Sequence, residues 1–498
     1  MVENLKIPFF VKKSMSPLMI SSIIGGYFLV LILIAWRTGR KSDNASFFLG
    51  NRRSPWYIVS IGMIGSSLSG VTFISVPGWV QTQQFTYLQM VGGFVLGYVV
   101  IANILLPLYY RLNLTSIYSY LDQRFGYFSY KSGALLFIAS RTVGSAARLY
   151  LMASVLQLAI FDALGIPFYQ TVIIAISLIW LYTFRGGIKT IIWTDTLQTI
   201  LMLSAVGITI YYIGASMDQG LKGMAQIISN SDMSRVFVWD DWGSSRHFVK
   251  QFFSGAFITI VMTGLDQDMM QKNLSCKNLK EAQKNMYWYG MAFLPVNLLF
   301  LSLGVLLFTF IAQNGLLTPE RADDLYPMLA MGGYLPPIVG ILFILGLVAA
   351  AYSSADSALT SVTTSFSLDI MEIDKMTDTQ ARRTRTITHI GFAVLTAMVI
   401  MVFRFLNQDS IIDTIYTLAG YTYGPLLGLY TFGLFTKHRV HDQLVPLVAI
   451  VPPLLTGILD FNANNWFGFN LGYEKLMLNG AITFFMLWCM RKKQEKTN

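Results

Sequence analysis

An all-helical polytopic membrane protein is the fold class this sequence predicts, and three observations predict it. The chain of 498 residues is 54% apolar and only 12% charged, with a mean hydropathy of +0.54. A soluble domain carries about a quarter charged residues. Apolar runs of about 20 residues recur along the whole length, each enough to cross roughly 30 Å of hydrocarbon as a helix. Between them no stretch of soluble-type composition is long enough for a second domain. Hydrocarbon offers backbone groups no partner but one another, so these runs are helices and not open strands.

Thirteen spans are expected, centred on 18–36, 56–80, 87–110, 134–161, 168–184, 190–214, 251–268, 286–313, 337–367, 387–406, 411–436, 444–460 and 473–490. The first is followed by R-T-G-R-K with no small-residue cleavage site, which reads as a retained helix and not a removed leader. With the N-terminus outside and the C-terminus in the cytoplasm, the inner loops hold 24 Lys/Arg against 10 on the other side, which is the bias that sets orientation. The net charge of +10 therefore needs no nucleic-acid partner: basic loops at the inner leaflet account for it. Cys276 and Cys489 both fall at the inner face, where a structural disulfide is not expected, and His247, His389, His438 and His441 form no cluster. No P-loop, zinc motif or nucleophile elbow is present, which sets aside ATP-driven transport by this chain alone and offers no catalytic constellation for an enzyme.

Three polar patches interrupt the apolar pattern. In the second span, G-S-S-L-S-G-V-T-F (Gly65–Phe73) packs four hydroxyls and two glycines into nine residues, with Pro77–Gly78 following. Such a segment can unwind at mid-membrane, and unwound backbone is tolerated there only when buried or lining a wet cavity. Its carbonyls then serve as ligands for a hard cation while its hydroxyls face a polar solute. In the ninth span, A-A-A-Y-S-S-A-D-S-A-L-T-S-V-T-T-S (Ala349–Ser365) sets Ala350, Ser353, Ser354 and Ser357 at helical spacing on one face. Small residues alone would mean close helix packing, but Asp356 among them needs a partner or a cation. The third patch, Y-T-F-R-G-G-I-K-T-I-I-W-T-D-T-L-Q (Tyr182–Gln198), carries Asp195 about 9 Å into the sixth span from Lys189. Asp195 is a functional candidate, or else the ion-pair partner of Arg185 or Lys189.

The run R-G-G-I-K-T-I-I-W-T-D-T-L-Q closely resembles the signature of the sodium/solute symporter family, the sodium-coupled transporters of glucose, proline, pantothenate, iodide and sialic acid. The loop T-S-I-Y-S-Y-L-D-Q-R-F (Thr115–Phe125), the motif L-D-Q-D-M-M-Q-K (Leu265–Lys272) and the segment Y-G-P-L-L-G-L-Y-T-F-G-L-F (Tyr423–Phe435) resemble further family motifs in the same order, over about residues 45–440. The resemblance implies a LeuT-type core of five-plus-five inverted repeats, the first at about 56–214 and the second at about 251–436, with peripheral helices at 18–36, 444–460 and 473–490. The first helix of each repeat, 56–80 and 251–268, should be discontinuous. Carried over by motif position, the main sodium site uses carbonyls of Gly65, Leu68 and Ala350 and hydroxyls of Ser353 and Ser354. Ser67, Ser69 and Thr72 match positions that face substrate. A second sodium site occurs in some members, and here it would use Asp195, Asp356 and Ser357. Asp356 departs from the family's hydroxyl pair, which leaves the coupling stoichiometry open.

The resemblance thus implies sodium-coupled uptake of a small polar organic solute by alternating access, in a bacterial cytoplasmic membrane, by a chain that functions as a monomer. Arg141 and Arg148 are the basic residues deep within a span, seven apart and so on one helix face. An intramembrane arginine pairs with an acid or binds an anionic ligand, which leans the solute toward a sugar acid or other carboxylate. A neutral sugar or polyol is the alternative, with Gln89 at the outer end of the third span reading hydroxyls. A transporter-fold sensor is a further class, but only R-K-K-Q-E-K-T-N follows the last span, too little for a signalling domain.

Overall fold

The computed structural model describes residues 17–39, 43–184, 186–406, 411–468 and 471–492, and among the described residues it is helical with no strand. We number the longer helices α1 (Pro17–Gly39), α2 (Trp56–Gln83), α3 (87–111), α4 (Tyr127–Leu156), α5 (Phe168–Thr183) and α6 (Ile188–Ser216). Next come α7 (Phe248–Gly264), α8 (Gln267–Leu274), α9 (Leu279–Gln313), α10 (Pro337–Ile370) and α11 (Asp378–Leu406). Last are α12 (Ile411–Thr422), α13 (Gly424–Phe435), α14 (Val445–Phe467) and α15 (Lys475–Cys489). A helix or helix pair stands at each expected span. By length and apolarity alone seven described helices qualify to cross a membrane, with 56–111 counted as one, or eight with the bent pair α7–α8. The shorter α5, α13 and α15 fall below that length.

Both expected discontinuities are present. Within α2 the chain breaks helical geometry at Ser69, with φ 34° and ψ 165°. Between α7 and α8 the axis turns by 65° at Leu265 and Asp266. α2 runs through the centre of the molecule, packed on α6, α9 and α10, and α6 in turn packs on α10. Glycine makes this approach possible: a Cβ at Gly65 would overlap Thr199 Oγ1 of α6, and one at Gly62 would sit 3.0 Å from Asp195 Cβ. The hydroxyl patch is therefore buried at the core instead of facing lipid.

At the basic end of the molecule, polar side chains pin the loops. Gln267 accepts from Ile117 N at 2.9 Å and donates to the Thr115 carbonyl at 2.9 Å, holding the loop Thr115–Phe125 against α8. The same loop's Ser116 donates to buried Asp369 at 2.8 Å, which also accepts from Tyr130 at 2.9 Å. Gln271 donates to the Phe48 carbonyl at 2.7 Å, fixing the short helix Asn44–Leu49. Beyond the spans, hydrogen bonds from Lys131 and Lys375 hold the Glu372 carboxyl down at about 2.

Candidate solute and sodium sites

A cavity of about 90 Å³ opens beside the break in α2. Ser66, Ser67, Ser69 and Thr72 line one wall, so the break presents its hydroxyls to the space. Opposite lie Tyr87, Phe94 and Tyr98 of α3 and Tyr289 and Phe293 of α9, with Arg141 and Arg148 of α4 contributing the charge. Ser67 and Tyr289 share a hydrogen bond of 2.5 Å, and Tyr98 donates to Tyr289 at 2.8 Å. This chain of hydroxyls within aromatic walls suits a polar organic solute with an apolar edge.

The two arginines differ. Arg141 is buried and paired with Asp268 of α8, with Asp266 3.8 Å away. Asp266 also accepts from Tyr423 at 2.5 Å and caps α8 by accepting from the Asp268 and Met269 amides. Arg141 is thus a structural latch between α4 and the second break. Arg148 has no ion pair or hydrogen bond among the described residues, and its side chain lines the cavity. Of the two, Arg148 is the cation free to meet a ligand.

Gln89 does not line the cavity. Its amide donates to the Arg246 and Thr86 carbonyls at 2.9 and 3.2 Å and accepts from Val238 N at 3.2 Å. Its polar groups are consumed in fastening the long loop before α7, which removes it from the solute-reading residues. Tyr87, from the same region, does line the cavity.

The candidate sodium residues converge where α2, α6 and α10 meet. Ser354 donates to the Ser66 carbonyl at 3.0 Å, so the small-residue stripe of α10 lies against the turn before the α2 break. Ser353 donates to Asp195 at 2.7 Å and lies 3.1 Å from Ser66 Oγ. Ser66 Oγ in turn lies 2.8 Å from Asp195 and Ser357 Oγ 3.4 Å from it. Asp356, also fully buried, accepts from Tyr182 at 2.7 Å and from the Ser357 amide at 2.6 Å.

The ionic partner of Asp195 is not Lys189, and Arg185 lies outside the described residues. It is Lys272, the last residue of L-D-Q-D-M-M-Q-K, with Nζ 2.7 Å from the carboxylate and bonded to Ser66 Oγ as well. Only 1% of that lysine is exposed. The charge count along the sequence assigns it to an inner loop, and nothing local separates it from the lysines at 277, 280 and 284. Tyr98 and Tyr289 were equally hidden, two among 25 tyrosines. The motif's five polar residues nonetheless divide the labour among themselves, Asp266 capping α8. Gln267 and Gln271 pin loops, Asp268 latches Arg141, and Lys272 enters the Asp195 cluster.

Comparison with known proteins bears on the family and the fold. A sequence model of the sodium:solute symporter family matches residues 47–443. The sodium/sialic acid symporter NanT of Aliivibrio fischeri is 27% identical, with 89% of this chain and 88% of that protein covered. SiaT of Proteus mirabilis, also a sodium/sialic acid symporter, is 23% identical over 93% of this chain and 94% of its own. The human sodium/iodide cotransporter is 24% identical, with 82% of this chain and 65% of that protein covered. A solved structure of a Na+-coupled sialic acid symporter, substrate-bound and outward-open, superposes with a TM-score of 0.80 at 21% identity, covering 95% of this chain and 98% of that one. The fold is accordingly the LeuT-like one. The chain belongs to the sodium:solute symporter family.

Proposed function

We propose that this protein takes up a small organic anion, a sugar acid or another carboxylate, together with sodium. The observation that carries the anion is Arg148: a guanidinium lining the cavity beside Ser67, Ser69 and Thr72, with no acid paired to it among the described residues. A solute carboxylate would complete it, since an intramembrane cation left unpaired is costly. Sodium, the co-transported ion, binds at the carbonyls of Gly65, Leu68 and Ala350 and the hydroxyls of Ser353 and Ser354. Those residues fit a hard cation, being oxygen donors gathered at a helix break. Ser353 gives its proton to Asp195, which leaves its oxygen lone pairs for the ion.

Sodium bound there ties α2 to α10 and favours the form that receives solute. By linkage the solute must raise sodium affinity by the same factor. Each positive charge moved down 100 mV releases about 2.3 kcal/mol for accumulation. The relatives named for sialic acid, a sugar acid, support the same solute class. We further place the N-terminus outside and the C-terminus in the cytoplasm, as the Lys/Arg bias requires, with the repeats bounded at about 56–214 and 251–436 and the monomer as the working unit in a bacterial cytoplasmic membrane.

Uptake of a compound panel into proteoliposomes, with and without a sodium gradient, tests this directly. Arg148→Gln should raise the half-saturating concentration of a carboxylate solute about tenfold or more, the worth of a charged hydrogen bond. Uptake of a neutral analogue should change little. A folded Arg148→Gln protein with wild-type affinity would move the reading to a neutral sugar or polyol.

A further inference from the structure

Asp195 lies at the centre of a ring of oxygens. Ser66, Ser353 and Ser357 place hydroxyls 2.8, 2.7 and 3.4 Å from its carboxylate, all buried. A carboxylate surrounded by hydroxyls and shut away from water is a site for a small monovalent cation. The cation there is Lys272, whose ammonium meets Asp195 at 2.7 Å and Ser66 Oγ together. We propose that Lys272 is a tethered cation that fills the Asp195 subsite, so this symporter moves one sodium ion per solute and not two. The inference rests on sodium coupling as read above and concerns its stoichiometry.

The charge balance supports it. Asp195 and Lys272 neutralise each other inside the core, while Asp356, the second buried carboxyl there, is held by hydrogen bonds from Tyr182 and the Ser357 amide. A sodium ion entering the subsite would have to expel the ammonium, and the 1% exposure of Lys272 leaves no water into which it could go. The main site differs, because Ser354 and the carbonyls before the α2 break carry no formal charge and, among the described residues, hold no cation of the protein. Lys272 also lies in the last turn of α8, the second part of the interrupted helix. The tethered cation therefore joins that helix to α2, α6 and α10 at one point, through Ser66, Asp195 and, by way of Asp195, Ser353.

The test is a sodium count. In proteoliposomes, the ratio of radioactive sodium to solute taken up should be one for the wild type, and sodium-dependent thermal stabilisation of purified protein should follow a Hill coefficient of about one. Lys272→Met keeps the chain length and removes the charge, opening the subsite. Its sodium titration should become cooperative, and its ratio should rise to two. Asp195→Asn together with Lys272→Met removes both charges and should return the count to one. A wild-type ratio of two overturns the proposal, as does a folded Lys272→Met protein that still binds one sodium. If Lys272→Met does not fold, the wild-type ratio decides alone. Uptake indifferent to sodium would instead defeat the coupling reading, a distinct result.

Discussion

The two interrupted helices use the same device to different ends. At the break between α7 and α8, the protein satisfies its own backbone. Tyr109 donates to the Gly264 carbonyl at 2.8 Å, Tyr118 donates to the Leu265 carbonyl at 3.0 Å, and Asp266 accepts from the amides that open α8. Charge is settled locally as well, by Arg141 against Asp268 and Asp266. The break within α2 carries its own short hydroxyls, Ser67 sharing one hydrogen bond with Tyr289, and the cavity adjoins them. A break closed by protein groups is a joint. A break faced by serines and open space is a receptor, because its oxygens can exchange partners with an ion or a solute.

Substitution should cost most at the joint. Asp266→Ala removes the cap of α8 and the acceptor of Tyr423, which together are worth about 3 kcal/mol. Thermal unfolding in detergent should shift down markedly, while the sodium dependence of the surviving fraction stays as it was. A change in sodium affinity with stability intact would make the second break a ligand site too.

At the receptor the pattern should reverse. Ser353→Ala and Ser354→Ala each delete one sodium ligand and should raise the half-saturating sodium concentration about tenfold, the equivalent of roughly 1.4 kcal/mol. Uptake at saturating sodium should be largely retained, and stability little altered. Unchanged sodium curves in both variants would reduce the α10 stripe to helix packing.

How much of this was legible in the sequence depends on whether a feature is local. Gly65–Phe73 stood out because four hydroxyls and two glycines contrast with an apolar run, and the structure does interrupt the helix at Ser69. The break at Leu265 was legible through the family resemblance, which implies a discontinuity in 251–268. Pairings across the fold were not. Arg141 finds Asp268 127 residues away, and Lys272 finds Ser66 206 residues away. Neither register can be read from spacing along one helix, since it is set by how α8 lies across α2, α4 and α6. Counting charges by loop made Lys272 an anchor at the membrane face, whereas the 65° turn before α8 carries it into the core. Gln89 failed for the opposite reason: its position near the outer end of a span is right for a solute contact, but the loop before α7 takes up its amide.

The smallest expected effect sharpens the contrast most. Ser69 holds φ 34° with ψ 165°, a region that L residues occupy at a cost of about 1–3 kcal/mol and that glycine enters freely. Asp266, at the other break, has φ −109° and ψ 121°, ordinary extended backbone. Ser69→Gly should therefore stabilise the folded protein by about 1 kcal/mol, after the greater freedom of glycine in the unfolded chain is subtracted. The same change removes a hydroxyl from the cavity wall, so solute affinity should fall a few-fold as stability rises. Asp266→Gly relieves no strain and should only destabilise. Thermal unfolding and uptake measured on the same preparations separate the two quantities. Opposite signs for stability and affinity in Ser69→Gly would mean that serine is kept at a strained position for its contact with the solute. A loss of both would mean that the hydroxyl contributes more to holding the break than the backbone strain takes away.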